Sequence, residues 1–394
     1  MTVETDEFSS ARRRMIVRDA VSLLGLTLLT AVLFAVTLFL FRSFAAHRAD
    51  LAQRWSERGR EALNAGRPDQ AIVALRTALS YAPDERSYEL LLAQALGDAG
   101  HLEEAYNYFL GLWETEPGDG FINLRLARLA AQKRETQAAI NYYHAAIYGT
   151  WEGDGTIRRR DVRLELARYL IARHDNNSAR SELLIAGGNN PNDVGVELIL
   201  AGLLQQAADP QDALNYYHKV LAQEPKNDPA LAAAARMEYD SGNFEEAHRL
   251  LEEAANEEKR TATGVSTGIA TMLENSTRIL SLSPAEKLSA EERVGRILRA
   301  RDLAKKRFSG CNTASAAAGS ASALQSLGAR WASGDASLSR IALLNDPAAQ
   351  DATMQLVFDT EVQTNRICGA PSGDDALLLL LAESPHPNDG ANAK

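Results

Sequence analysis

The chain's 394 residues could hold two or three domains, and 45% apolar with 24% charged residues exclude wholesale disorder. A formal net charge of −10 argues against nucleic acid as a general partner, because phosphate binding needs a basic face. In chain order, the first element is residues 20–41, AVSLLGLTLLTAVLFAVTLFLF, which contain no charge. At about 1.5 Å per residue they make about 33 Å of helix, enough to cross a hydrocarbon core of about 30 Å. A cleavable signal has a shorter apolar region of roughly 7–15 residues, so the stretch reads as an uncleaved transmembrane helix. Against this, Ser43-Phe44-Ala45 loosely resembles a small-x-small cleavage site. Arg12, Arg13, Arg14 and Arg18 crowd the N-terminal flank, whereas Arg42, Arg48 and Arg54 are spread along the other. The positive-inside rule then makes residues 1–19 a cytoplasmic tail and puts the bulk of the chain outside the cytoplasm.

From Leu51 the sequence keeps time. NYF at Asn107–Phe109 and NYY at Asn141–Tyr143 start 34 residues apart, and NYY returns at Asn215–Tyr217 after twice that step plus six. An alanine recurs at Ala71, Ala105, Ala139, Ala179, Ala213 and Ala247, with the same six-residue slip once, between the third and fourth. Twelve residues before each stands a small residue: Gly59, Ala93, Ala127, Ala167, Ala201 and Ala235. Four residues after each stands a large one: Leu75, Phe109, Tyr143, Leu183, Tyr217 and Leu251. Small residues let two helices approach closely, and apolar residues at i, i+4 and i+7 form one buried stripe. Pro83, Pro117, Pro191 and Pro225 close units, and Gly66, Gly100 and Gly242 mark turns between the helices of a pair.

This pattern resembles the tetratricopeptide repeat, W-x2-L-G-x2-Y, then A-x3-F, then P. Trp55, Gly59, Gly66, Ala71, Leu75, Ala78 and Pro83 hold that register in the first unit. Six units start near Gln53, Ser87, Phe121, Asp161, Gly195 and Pro229, and the resemblance covers 51–256. It implies an all-α fold: an N-terminal transmembrane helix, a right-handed α-solenoid of about six helix pairs and a C-terminal helical cap. The slip falls in Tyr148–Arg160, YGTWEGDGTIRRR, which reads as a longer loop between units three and four. The family also implies that the ninth residue of each unit faces a concave, ligand-binding wall. Those residues are Arg60, Gln94, Arg128, Arg168, Gly202 and Arg236. Guanidinium forks suit carboxylates, so the ladder points to an acidic peptide or chain terminus. The alternative is that the arginines pair with local glutamates such as Glu89 and Glu165. His144 and His218 sit two units apart and cannot share a metal ion.

Beyond Glu257 the period stops, and 257–382 reads as a helical domain covering the end of the solenoid. Residues 263–282, 290–308, 347–367 and 375–382 read as helices, the second with a capping start, Ser289 then Glu292. The Ala/Ser-rich 312–322 reads as loosely ordered and 383–394 as a mobile tail. Cys311 and Cys368 are the only cysteines and would pair in an oxidising compartment; two inert thiols are the alternative. Gly264-Val265-Ser266-Thr267-Gly268 fits G-x-S-x-G by letter. No strand pattern precedes Ser266, however, and the only later histidine is His386. Asn176 and Asn275 begin glycosylation-type tripeptides, which matter only in a eukaryotic secretory context. No dinucleotide, Walker or H-E-x-x-H motif is present, so no cofactor and no metal are expected. The resemblance extends to bacterial single-pass membrane-anchored members of the family in the cell envelope. It implies a non-enzymatic inner-membrane scaffold for protein or peptide partners, with the bulk of the chain in the periplasm. The alternative puts a ligand-binding or enzymatic activity in the C-terminal helical domain.

Overall fold

The computed structural model describes residues 4–189, 192–260, 265–285, 287–317, 324–337 and 339–384. Among them are eighteen helices and no strand beyond one isolated bridge, Asp119 with Thr150. Contacts divide the chain into two compact units, Met1–Leu166 and Ala167–Lys394.

The first unit opens with one helix, α1 (Glu4–Asn64), 61 residues long. It contains both the apolar 20–41 stretch and the first helix of the first pair, so nothing interrupts the passage between them. Residues 15–64 include a window of mean hydropathy 2.5 that is 0% buried. A helix of this length and composition suits a membrane anchor and a signal sequence alike. α2 (Pro68–Tyr81), α3 (Arg86–Asp98), α4 (Leu102–Thr115), α5 (Gly120–Gln132) and α6 (Thr136–Tyr148) follow as antiparallel pairs. The periodic alanines explain the packing. Ala71, Ala105 and Ala139 are 0% exposed, and Leu75 and Phe109, one turn further on, fill the space between helices. A Cβ on Gly59 would strike the Leu75 side chain, which is why the smallest residue stands there.

α7 (Gly155–Ala172) corrects the expectation of a loop over 148–160. Only 149–154 are loop, and 155–160 are already helix. Asp154 Oδ1 accepts hydrogen bonds from the Thr156 and Ile157 backbone N–H groups at 3.0 and 3.3 Å, so a capping acid starts α7 early. The loop itself is fastened. Gly120 N–H donates to Thr150 O and Thr150 N–H to Gly118 O, both at 2.8 Å. The Trp151 indole donates to Ala146 O at 2.9 Å.

The second unit continues with α8 (Asn176–Gly188), α9 (Val194–Gln206), α10 (Pro210–Gln223), α11 (Asp228–Asp240) and α12 (Phe244–Arg260). Ala179, Ala213 and Ala247 are again 0% exposed. Here α13 (Thr267–Leu282) packs on α12, and Ile279 joins Phe244, Leu377 and Leu381 in one apolar cluster. The C-terminal helices thus pack on the last pair. α14 (Ala290–Ala317) runs past the expected end at 308, because its Ala-rich continuation forms helix instead of loose chain. α15 (Gln325–Ser337) and α16 (Arg340–Asn345) were not anticipated from the sequence. α17 (Pro347–Cys368) lies against α14, and α18 (Asp374–Glu383) against α13 and α17. Pro191, Gly264, residues 318–322, His386 and the tail from 385 lie outside the described residues.

Candidate functional site

In the first unit the ninth-position residues differ in state. Arg60 is exposed and Gln94 half-buried. Arg128 is engaged: its Nε and Nη2 donate to the two Glu165 carboxylate oxygens at 2.8 and 2.6 Å. The Tyr143 hydroxyl donates to the same carboxylate at 2.9 Å. The hydrogen bond to Glu165 holds the Arg128 proton more tightly than usual, and burial opposes this. A bidentate fork of this kind bridges neighbouring helices, which is the local-glutamate alternative realised at this one position. In the second unit Arg168 is exposed and Gly202 offers no side chain. Arg236 is exposed and lies 3.8 Å from Asp240 one turn on, a solvated pair worth little. Among the described residues, Arg60 and Arg168 form no ion pair.

The second unit also holds a cleft of about 410 Å³ between α10 and α11, lined in part by Gln211, Asn215 and Met237. The His218 ring Nε2 lies 3.0 Å from buried Glu238, whose other oxygen accepts from Asn243 at 2.9 Å. This network satisfies itself and holds no free reactive group.

A third arrangement lies in the C-terminal helices, and its buried carboxyls escaped the sequence reading. Cys311 on α14 and Cys368 at the end of α17 form a disulfide, with Cα atoms 5.8 Å apart. They border a cleft of about 380 Å³ with Leu303, Lys306, Arg307 and Asp375. Arg307 donates from Nε to Thr364 Oγ1 at 3.0 Å and from Nη2 to Gly369 O at 2.6 Å. Its Nε stands 3.5 Å from Glu361, which is 0% exposed. Burial, and secondarily the charge of Asp375, pushes the Glu361 carboxyl up to about 8 despite Arg307. The group is therefore protonated at neutral pH. Burial also raises the Asp375 carboxyl. Neither Glu361 oxygen nor Asp375 Oδ1 has a hydrogen-bond partner among the described residues. The only available signal was a run of threonines, Thr353, Thr360 and Thr364, whose hydroxyls bond back to their own helix and let a polar stripe be buried.

Ser266 stands at the N-terminus of α13 and follows helix α12, not a strand, so the nucleophile-elbow context is missing. Among the described residues no cluster of His, Cys, Asp or Glu could hold a metal ion.

Stacked antiparallel helix pairs that display side chains around buried alanines define a helical repeat protein. Residues 204–263 match the family model described as tetratricopeptide repeat. No curated protein matches the sequence significantly. Solved structures with a similar arrangement include a tetratricopeptide repeat protein from Parabacteroides merdae, at 14% identity and TM-score 0.39, covering 64% of this chain and 92% of that one. Pseudomonas aeruginosa pilF matches at 16% and 0.39, covering 59% and 98%. YrrB, described as having an unusual peptide-binding site, matches at 17% and 0.38, covering 51% and 97%. Likeness at this level bears on neither function nor detailed geometry.

Proposed function

We propose that this chain is a membrane-tethered scaffold that captures protein or peptide partners on the first helices of its pairs and performs no chemistry of its own. The observation that carries the reading is that Arg60 and Arg168 stand exposed and unpaired on those helices among the described residues. An acidic segment is the ligand such guanidinium groups suit. Arg128 drops out of the contact set, since its fork is spent on Glu165. The apolar 0%-buried stretch of α1 supports a resident span, because no core covers it. The arginine-rich N-terminal flank supports an inner-membrane anchor with the bulk of the chain on the periplasmic side.

A photoreactive residue at Gln94 or Arg236 tests this in intact cells against one at Asn107 or Asn215, exposed positions on the second helices. Adducts are expected from the first set only, and R60E with R168E should abolish them. Adducts from Asn107 and Asn215 alone, or capture indifferent to both charge reversals, would overturn the reading.

A further inference from the structure

Both ends of the 148–160 segment lie at the end of the first unit where α1 arrives from the apolar stretch. A chain of contacts along that end shows this. Arg48 on α1 donates to Tyr81 O at the end of α2, 2.7 Å. Arg86 at the start of α3 pairs with Glu116 beyond α4, 2.6 Å. Gly118 and Gly120, at the start of α5, hold Thr150 beyond α6. Arg159 donates to Gly149 O at 3.2 Å. Tyr143 on α6 also meets α7, its hydroxyl donating to Glu165 at 2.9 Å.

Arg48 lies seven residues beyond Phe41, the last residue of the apolar stretch, which is about 10 Å of helix. Headgroups occupy roughly 5–8 Å outside the hydrocarbon core. The rim of the first unit therefore stands just above the headgroup layer, within reach of long side chains. The Arg159 guanidinium reaches back to Gly155, 3.2 Å from where a Cβ there would stand, so the end of α6 and the first turn of α7 share this rim. What they carry is unusual for a solvated helix start. Tyr148 is 73% exposed with Arg163 over its ring, Ile157 is 45% exposed, and Arg158 and Arg159 are exposed. Arginines at a helix N-terminus oppose the helix dipole, so helix stability does not account for them. An aromatic ring, an isoleucine and arginines together suit the bilayer interface.

We propose that the Tyr148–Arg160 segment is a second membrane contact, a foot that sets Tyr148, Ile157 and Arg158 on anionic lipid headgroups. Two contacts fix the tilt and rotation of α1, which one span leaves free, and so fix which way the first unit faces. The inference rests on the anchor reading above.

The full chain, reconstituted in vesicles rich in phosphatidylglycerol or made of phosphatidylcholine alone, tests it by amide hydrogen exchange over 148–160. Exchange should slow by roughly an order of magnitude in the anionic vesicles only. I157S with R158E, both changes at exposed side chains, should abolish the slowing without altering helix content. Equal exchange in the two vesicles, or a variant that exchanges like the parent, overturns the foot. Alkaline carbonate extraction separates the two failures: a chain released from the membrane overturns the anchor and the foot together, while a retained chain with unprotected 148–160 overturns the foot alone.

Discussion

Six backbone positions turn left-handed between paired helices. Gly66, Gly100 and Gly242 do so freely, while Arg134, His174 and Ala208 hold φ of 64, 61 and 56°. At each, the next residue's N–H reaches back five residues to close the helix, as His101 does to Leu96 O and Asp209 to Leu204 O. A Cβ in this region costs roughly 1–2 kcal/mol. Ala208→Gly should therefore raise stability by about 1 kcal/mol, and Gly100→Ala, with nothing within 4 Å of its added carbon, should lower it by about as much. Urea denaturation of both variants isolates the backbone term, and equal midpoints for parent and A208G would contradict it. Glu361 makes a second prediction at this scale. Its carboxyl is raised in the folded chain, so the folded state holds a proton that the unfolded state releases near its ordinary value of 4.5. Its stabilising contribution is full below that value and is lost as pH climbs through about 8. The C-terminal helices should melt lower at pH 8 than at pH 5. Glu361→Gln should flatten the difference, gaining roughly 2–4 kcal/mol at pH 8. Parallel melting curves for the two proteins across that range would rule it out.

Among the elements, the loop before α7 shows how a six-residue insertion is absorbed. A Cβ on Gly120 would overlap the Trp151 ring, so the two residues are one fitted contact. Gly120→Ala should cost about 2 kcal/mol and Trp151→Ala about 3, while the double variant should cost clearly less than the sum. Additive losses in a thermal-melt cycle would show that the ring does not rest there. The disulfide ties α14 to α17 across 57 residues, so Cys368→Ser should destabilise that bundle by roughly 4 kcal/mol, read as a lower melting point that reductant reproduces in the parent. These elements also mark where sequence was readable. The 34-residue register was legible because each alanine is fully buried, so the core itself writes the period. The start of α7 was hidden by Gly155 and three arginines, which read as loop until Asp154 is seen capping them. α15 was hidden because, among its residues whose burial is described, only Leu327 and Trp331, one turn apart among small and polar residues, are buried anchors. The Arg128–Glu165 fork was named only as an alternative, since which arginine turns to a neighbour and which to solvent depends on helix packing.

For the whole molecule, if α1 is the anchor proposed above, orientation across the membrane is the property from which most others follow. Two independent features bear on it. Arg12, Arg13, Arg14 and Arg18 favour keeping the N-terminal flank in the cytoplasm. The Cys311–Cys368 bond is of the kind that persists in an oxidising compartment. Neither depends on the other, since one is a translocation bias and the other a redox equilibrium. If both report the same arrangement, changing the first must change the second. Replacing the four arginines by serine should let part of the population insert inverted. A phosphatase fused to the C-terminus should then lose activity, and in the unfused variant thiols at 311 and 368 should become available to alkylation before reductant is added. In the parent the phosphatase should be active and both thiols blocked. An active phosphatase with alkylated thiols in the parent would show that the bond does not form where the domain resides. An inactive one would place the repeats, and any acidic partner of Arg60 and Arg168, in the cytoplasm instead.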